Sequence, residues 1–313
     1  MTKEKVLRLL SPGEFVSGRE IGEVLGLSRA AVWKAVQSLK TAGYEIESVT
    51  NRGYRLVGKA DVLHLPEWTV LPEVDSTNNY LKQLAEAGAP HGTVVVSDCQ
   101  TAGRGRLGRS FASPKGVGVY LSVLLRPEVA PGELLHLTAV AAVAGAEALE
   151  AVCGAKPGIK WTNDLIFGQK KVAGILTEMS LEAESGRVHY AIVGIGINCN
   201  QGEFPAEIEQ VATSIFLETG AKVDRSEIAR QIGRGILAAY DTMWQEKASW
   251  MAKYAENCVT IGREISVVRG SEARRGRALG IDEDGGLIVL YEDGTRATVN
   301  SGEVSIRGMY GYV

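Results

Sequence analysis

Apolar and polar positions along this chain of 313 residues follow two periods, and the changes of period divide it. Near the start, Val6, Leu7, Leu9 and Leu10 share one face at helical spacing. Ser17 then precedes Gly18-Arg19-Glu20, a capping serine with an acid three residues on. The helix predicted there carries Ile21, Val24 and Leu25 inward and stops at Gly26. Ser28 caps a second helix, with Ala31, Val32, Ala35, Val36 and Leu39 inward and Gly43 as its stop. Two helices joined by Gly26-Leu27-Ser28 make a helix-turn-helix. The period then changes to two. Residues 44–49 and 54–57 alternate as strands around Thr50-Asn51-Arg52-Gly53, a hairpin that forms the wing of a winged helix.

Lys59 to Pro72 carries two prolines and little period, and reads as a linker. Ser76-Thr77-Asn78-Asn79 leads into a helix over 80–87. Those polar residues serve either as an N-cap or as a helix start facing a ligand, and the spacing leaves both open. Apolar runs at 93–96 and 118–125 predict two strands, and 132–152 predicts an Ala-rich helix. Its most apolar part, Leu134 to Val152, is interrupted by His136, Glu147 and Glu150, which favours a buried helix over a membrane span. Strand patterns follow to Phe167, from Lys170 to Glu178 and from Val188 to Asn198. Residues 225–258 read as helix, with Ile228, Ile232, Ile236, Leu237, Tyr240, Met243 and Trp244 at the 3.6 period. From 262 onward, short strands with turns at Asp284-Gly285-Gly286 and Asp293-Gly294 predict a small β-barrel-like domain of SH3 size. The expected domains are 1–60, 61–260 and 261–313.

Charge changes the picture at the N-terminus. The net charge is −3, but residues 1–60 carry ten basic and six acidic side chains. A basic first segment on an acidic body points to a polyanion met by that segment alone. Arg29, Trp33, Lys34 and Gln37 lie on the second helix outside its inward face, and Arg52 tips the wing. They are the candidate DNA contacts; the bland alternative is a helical module for protein contacts. Cys99, Cys153, Cys199 and Cys258 have no metal-ligand spacing and fit small apolar packing in a reduced compartment. No apolar segment follows Met1-Thr2-Lys3-Glu4-Lys5, so the expected location is the cytoplasm.

The densest chemistry is Gly103-Arg104-Gly105-Arg106-Leu107-Gly108-Arg109. Glycines permit close backbone approach, and guanidiniums offer planar forks of donors matched to phosphate and carboxylate oxygens. Strand-like runs bracket the stretch, so it reads as a flexible cationic loop held on a sheet and closing over an anion. Lys160 stands beside Trp161-Thr162-Asn163-Asp164. Near Arg104 and Arg106 it would stabilise charge on a transferring phosphoryl group. Asn163 and Asp164 are turn formers or holders of Mg²⁺ or nucleotide, and spacing leaves the choice open.

The ordered set Gly103-Arg104-Gly105-Arg106-x-Gly108-Arg109, Lys160-Trp161-x-Asn163-Asp164, Lys171-Val172-Ala173-Gly174-Ile175-Leu176 with Glu178, and Gly194-Ile195-Gly196-Ile197-Asn198 resembles the biotin–protein ligases. In particular it is similar to the two-function bacterial form that also represses the biotin operon. The resemblance implies an α+β multidomain chain. It would hold a winged helix-turn-helix, a central mixed α/β ligase domain of the class II synthetase-like type and a C-terminal SH3-like barrel. It implies ATP with Mg²⁺, biotin as substrate and corepressor precursor, and biotinyl-5′-AMP as intermediate. The implied partners are a biotin carboxyl carrier protein, operator DNA and a second copy of the chain once the adenylate is bound, with no membrane. By position, Ser76, Thr77, Asn78 and Gln100 would hold biotin's ring end. Arg104, Gly105 and Arg106 would close over carboxylate and α-phosphate, and Lys160 would bridge the two. Gly103, Asn163, Asp164 and Lys171 would support the nucleotide or the turns, and no metal ligand is implied. The pattern usually has Pro at Thr162, Trp at Phe111 and Glu at Asp98. A strand at Val188 to Val193 is the candidate edge for dimerisation. Two other classes compete. A biotin-sensing repressor without chemistry would not need Lys160, and a lipoate–protein ligase would as a rule lack the GRGRxGR loop.

Overall fold

A computed structural model describes residues 2–10, 14–41, 44–59, 62–269, 272–300 and 303–306. The chain divides into two compact units, 1–64 and 65–313.

The first unit contains α1 (Thr2–Leu9), α2 (Gly18–Leu25), α3 (Arg29–Thr41), β1 (Tyr44–Val49) and β2 (Gly53–Lys59). The caps are those expected from sequence. The Ser17 hydroxyl accepts the Glu20 N–H at 3.1 Å, Glu20 reaches back to the Ser17 N–H, and Gly26 closes α2 in the left-handed region. Ser28 Oγ accepts the Ala31 N–H at 3.2 Å. Val6, Leu10, Ile21, Val32, Val36, Leu39 and Ile46 form the core. Val24 does not join it. It is 64% exposed, because only Ile21 and Gly22 of α2 turn fully inward against α3. Gly22 is required there, since a Cβ would meet the Leu27 carbonyl at 2.7 Å. Antiparallel pairing of β1 with β2 forms the wing. The expected stop at Gly43 lies outside the described residues.

The second unit is built on a seven-stranded sheet in the order β3-β4-β5-β9-β8-β7-β6. Its strands are β3 (Thr69–Leu71), β4 (Val94–Ser97), β5 (Gly118–Leu125), β6 (Gly158–Lys160), β7 (Asp164–Phe167), β8 (Lys170–Leu181) and β9 (Val188–Asn198). Helices α4 (Thr77–Glu86), α5 (Leu137–Cys153), α6 (Ile215–Thr219), α7 (Arg225–Thr242) and α8 (Lys247–Asn257) accompany it. Only β3 and β4 pair in parallel. β5 is buried along its whole length, which is why its sequence is a continuous apolar run rather than an alternating one.

Three expectations change here. The segment read as a linker holds β3, whose three residues are too few to show a period. The helix expected over 225–258 is two helices. No glycine or proline stands at the break; the chain turns after Thr242 so that both α7 and α8 bring apolar faces to α5. Met243 is fully buried at the turn, and the Trp250 indole donates to Thr242 Oγ1 at 3.1 Å. Val188 to Val193 is not an edge. It lies in β9, inside the sheet, with β8 on one side and, from Ala191 onward, β5 on the other. The helical stretch Pro131–Cys153, which ends in α5, is long and apolar enough to cross a bilayer, yet α5 packs inside this unit against α7, α8 and the sheet.

β10 (Glu264–Arg269), β11 (Glu272–Ile281), β12 (Leu287–Tyr291), β13 (Arg296–Val299) and β14 (Glu303–Ile306) form an antiparallel sheet in the order β13-β12-β11-β10-β14. Among the described residues its outermost strands are β13 and β14.

Candidate active site

Register explains where the cleft forms. Tyr120, Gly196 and Gly174 lie opposite one another on β5, β9 and β8, and so do Ser122, Gly194 and Leu176. Leu124, Ile192 and Glu178 form the next row. With a side-chain period of two, these rows share one face. At Leu124 and Ile192 that face is covered by Leu81 and Ala85 of α4. Farther along, glycines replace apolar side chains and leave a groove. A Cβ on Gly194 would overlap the Asn78 carboxamide, and one on Gly196 would meet the Phe111 ring at 2.5 Å.

One wall of the groove is the start of α4. Ser76, Thr77 and Asn78 are buried, and Ser76 makes no side-chain capping bond. Gln100 Oε1 accepts from the Thr77 N–H at 2.9 Å and from its hydroxyl at 3.1 Å. Gln100 Nε2 donates to Ser113 Oγ at 2.9 Å. The Ser122 hydroxyl lies 2.6 Å from Asn78 Oδ1 and 2.8 Å from Thr77 Oγ1. Asn78 Nδ2 donates to Glu178 at 2.8 Å. Glu178 also receives Lys82 at 2.7 Å and Arg104 at 3.0 Å. Burial by itself would raise the Glu178 carboxyl; hydrogen bonds from Lys82 and Asn78 and the charges of Lys82 and Arg104 outweigh it and hold its pKa below the ordinary value.

The opposite wall is the turn between β6 and β7. Lys160 ends β6 only 8% exposed, and pairs in register with Asp164. The Trp161–Thr162 peptide is cis. Asp164 is ion-paired with Lys171 at 2.7 Å, and Lys171 Nζ lies 5.7 Å from the centre of the Phe111 ring. Asn163 is tied to Ile175 through its backbone carbonyl and its side-chain amide, both at 2.9 Å. This wall lines a cleft of about 150 Å³ with Gly105, Arg106, Phe111, Lys160, Asn163 and Lys171 among its residues.

The glycine-arginine stretch spans the two walls as a tight hairpin. The Gly105 N–H donates to the Arg109 carbonyl at 2.7 Å, and the Phe111 N–H to that of Gly103 at 2.9 Å. Leu107 and Gly108 at the tip have positive φ, 55° and 76°, and glycine is the residue that accepts this without cost. Gly103 is buried; a Cβ there would strike the Phe111 carbonyl. The two central arginines separate. Arg104 turns to α4, donating to Asn79 Oδ1 at 3.1 Å beside its Glu178 pair. Arg106 turns to the Lys160 side, donating to Thr162 Oγ1 at 2.7 Å and Asn163 Oδ1 at 3.1 Å. Sequence alone grouped both arginines with Lys160; only Arg106 and Lys160 line the larger cleft together, while Arg104 lines the smaller pocket with Ser76 to Asn78 and Gln100.

Several supporting residues carry no sequence signal. Ser122 is one apolar-flanked hydroxyl in a strand. Arg225, 1% exposed at the first turn of α7, donates to Asp98 at 2.6 Å and to the Gly118 carbonyl at 2.8 Å, so it ties both ends of the segment bearing the loop. Tyr254 of α8 donates to the Thr162 carbonyl at 2.9 Å, and its burial pushes the phenol far above its ordinary pKa. The Trp161 indole donates to the Gly285 carbonyl at 2.9 Å.

In the first unit, Arg29, Trp33 and Lys34 are exposed along α3, Trp33 by 57%, and Gln37 is half-buried. The Arg52 guanidinium stacks 4.3 Å from the centre of the Phe15 ring.

Three family models match in succession: an HTH domain over residues 2–55, the biotin/lipoate A/B protein ligase family over 70–198 and a biotin protein ligase C-terminal domain over 260–307. The class is therefore a protein ligase preceded by a helix-turn-helix. The chain is 38% identical over 302 residues to the bifunctional ligase/repressor BirA of Bacillus subtilis, covering 90% of this chain and 91% of that one. It is 32% identical over 314 residues to BirA of Escherichia coli, covering 97% and 96%. A biotin protein ligase from Aquifex aeolicus, solved in complex with biotin and ATP, superimposes with a TM-score of 0.67 at 36% identity over 78% of this chain and 99% of that one. The chain belongs to the family of bifunctional biotin–protein ligases and repressors.

Proposed function

We propose that this protein joins biotin to ATP, transfers the biotin to a lysine of a biotin carboxyl carrier protein, and represses biotin genes when its adenylate is not consumed. The observation that carries the catalytic half is the pairing of a pocket of hydroxyls and amides with a cationic wall across one glycine-floored groove. Ser76, Thr77, Asn78 and Gln100 suit the ureido end of biotin, which needs both donors and acceptors. The carboxylate then points toward Arg106 and Lys160. Carboxylate and triphosphate repel each other, so the attack needs fixed positive charge between them. A carboxylate oxygen attacks the α-phosphorus, the bond to pyrophosphate breaks, and biotinyl-5′-AMP forms. The carrier's lysine amine next attacks the mixed-anhydride carbonyl, loses a proton, and AMP leaves. Mg²⁺ enters as the counter-ion of the triphosphate and belongs to the substrate. Among the described residues no three His, Cys, Asp or Glu side chains gather as a metal site, and Asp164 is already engaged by Lys171.

The repressor half is supported by a winged helix whose α3 presents Arg29, Trp33, Lys34 and Gln37, with Arg52 on the wing. One such unit reads few base pairs, so two copies on paired half-sites are required. Adenylate would promote the dimer by binding it more tightly than the monomer. The protein works in the cytoplasm, where carrier, ATP and operator meet.

Incubation with ATP and either biotin or lipoate, followed by pyrophosphate release and transfer to carrier, tests the ligase. Biotin-dependent release is expected; release with lipoate alone, or binding without release, overturns it. Sedimentation and operator binding with and without biotinyl-5′-AMP test the repressor. An association constant unchanged by the adenylate removes that half and leaves the ligase standing.

A further inference from the structure

The β6–β7 turn is held from several sides at adjacent groups. The Ile159 carbonyl accepts the Val259 N–H at 2.9 Å, and the Trp161 N–H donates to Thr260 Oγ1 at 3.0 Å. The Thr162 carbonyl accepts the buried Tyr254 hydroxyl at 2.9 Å. These bonds leave the Thr162 side chain facing the arginine loop, where its hydroxyl accepts Arg106 Nη1 at 2.7 Å. That is a short, charge-assisted bond, the stronger kind. A proline, usual at this position in the pattern the chain resembles, has no side-chain oxygen to offer. Loop and turn are 56 residues apart in sequence.

We propose that Thr162 is a positioning residue: its hydroxyl docks Arg106 and holds the glycine-arginine loop against the Lys160 turn before substrate arrives, with Tyr254 fixing the Thr162 carbonyl. Three glycines give the loop little rigidity of its own, so an external dock decides how much of the time it is closed. A loop already closed spares the ligand the cost of ordering it, and apparent affinity rises with the closed fraction. The kinetic consequence rests on the ligase reading; the loop's conformation does not.

The test compares the full chain with Thr162→Val, Thr162→Ser and Tyr254→Phe. Valine keeps the branched shape without the acceptor, and serine restores the acceptor. Tryptic cleavage after Arg104, Arg106 and Arg109 is followed by mass spectrometry without substrate, alongside thermal unfolding. Thr162→Val is expected to be cleaved there about tenfold faster, equivalent to about 1.4 kcal/mol of closure. Thr162→Ser is expected near the parent rate, Tyr254→Phe between the two, and the unfolding midpoint little changed. In adenylation, Thr162→Val should raise KM for biotin and ATP by a similar factor and leave kcat nearly intact. Cleavage of Thr162→Val at the parent rate, or of Thr162→Ser as fast as Thr162→Val, overturns the proposal. Should Thr162→Val not fold, Tyr254→Phe decides it by the same cleavage assay. If the parent itself forms no adenylate, the ligase reading fails while the cleavage assay still decides the loop.

Discussion

The two walls of the cleft are built on opposite principles. The α4 wall is built mainly of hydroxyls and amides, its lining cation, Arg104, being paired with Glu178, and it sits on regular elements, a helix start and the middle of β5, β8 and β9. Its polar atoms already satisfy one another: Thr77, Gln100, Asn78, Ser122 and Glu178 form one connected network. The β6–β7 wall is cationic and sits on a turn and a hairpin loop, braced by α8 and by the turn at Gly285. The contrast teaches a division of labour. A rigid, pre-paired wall discriminates a ligand by shape and hydrogen bonding. A wall of charged groups on turns stabilises charge as it develops, and depends on bracing from outside.

The strongest way to break this comparison is to remove the charge from the second wall alone. Lys160→Ala should lower single-turnover formation of biotinyl-5′-AMP by roughly 10²–10³, the scale of losing one preorganised electrostatic group. The fold should survive, because one buried side chain at the end of a three-residue strand is lost. Near-parental turnover would remove Lys160 from the chemistry.

Filling the groove addresses the first wall. Gly194→Ala places a methyl where the Asn78 carboxamide sits, and Asn78 is held by bonds to Ser122, Leu176 and Glu178. Overpacking of this kind costs about 1–3 kcal/mol, so biotin affinity should fall by roughly tenfold to a hundredfold. Calorimetry with biotin measures it; unchanged affinity would mean that biotin does not occupy this groove.

Glu178→Gln sharpens the link between the walls. It removes the charge that pairs Lys82 and Arg104 and should weaken biotin binding by a few-fold, in keeping with about 1 kcal/mol for such a pair. The pH signature is more specific. The folded-state pKa of Glu178 lies below its ordinary 4.5, so its stabilising contribution is present above about 4.5 and is lost as pH falls through the lower value. Acid unfolding curves should show this loss in the parent and not in the variant.

The smallest effect concerns the bracing. His136 is buried with its ring edge-on to Trp244, 6.1 Å between ring centres, beside Lys247 and Asp284. Burial first, and the Lys247 charge second, lower its pKa below 6.5, against an opposing pull from Asp284. Stability should therefore be full above pH 6.5 and decline as pH falls below it. His136→Phe should flatten that decline between pH 7 and 5.5; an unaltered slope would assign it to other groups.

How legible these parts were depends on the range of the interaction that builds them. Ser17, Gly26 and Ser28 act within a few residues, and the caps they predict are present. The strands at Val94 and Gly118 were legible from composition alone. Val24 was misread because a helical period cannot say how wide the buried stripe is. The break after Thr242 carries no local signal, since α5 imposes it. The place of β9 inside the sheet was equally hidden, as an apolar strand with two neighbours reads like an apolar strand with one.

At the site, sequence by itself determined which groups are available: the glycine-arginine loop, Lys160 with Asn163 and Asp164, and the polar start of α4. Only the tertiary structure decided where each one points. Arg104 and Arg106 are two residues apart and chemically identical. One is drawn to Glu178 and Asn79, the other to Thr162 and Asn163. The physical reason is that a guanidinium settles on whichever acceptors the fold brings within about 3 Å. Those acceptors come from a helix, a strand and a turn between 25 and 74 residues away in the chain, beyond the reach of any local pattern.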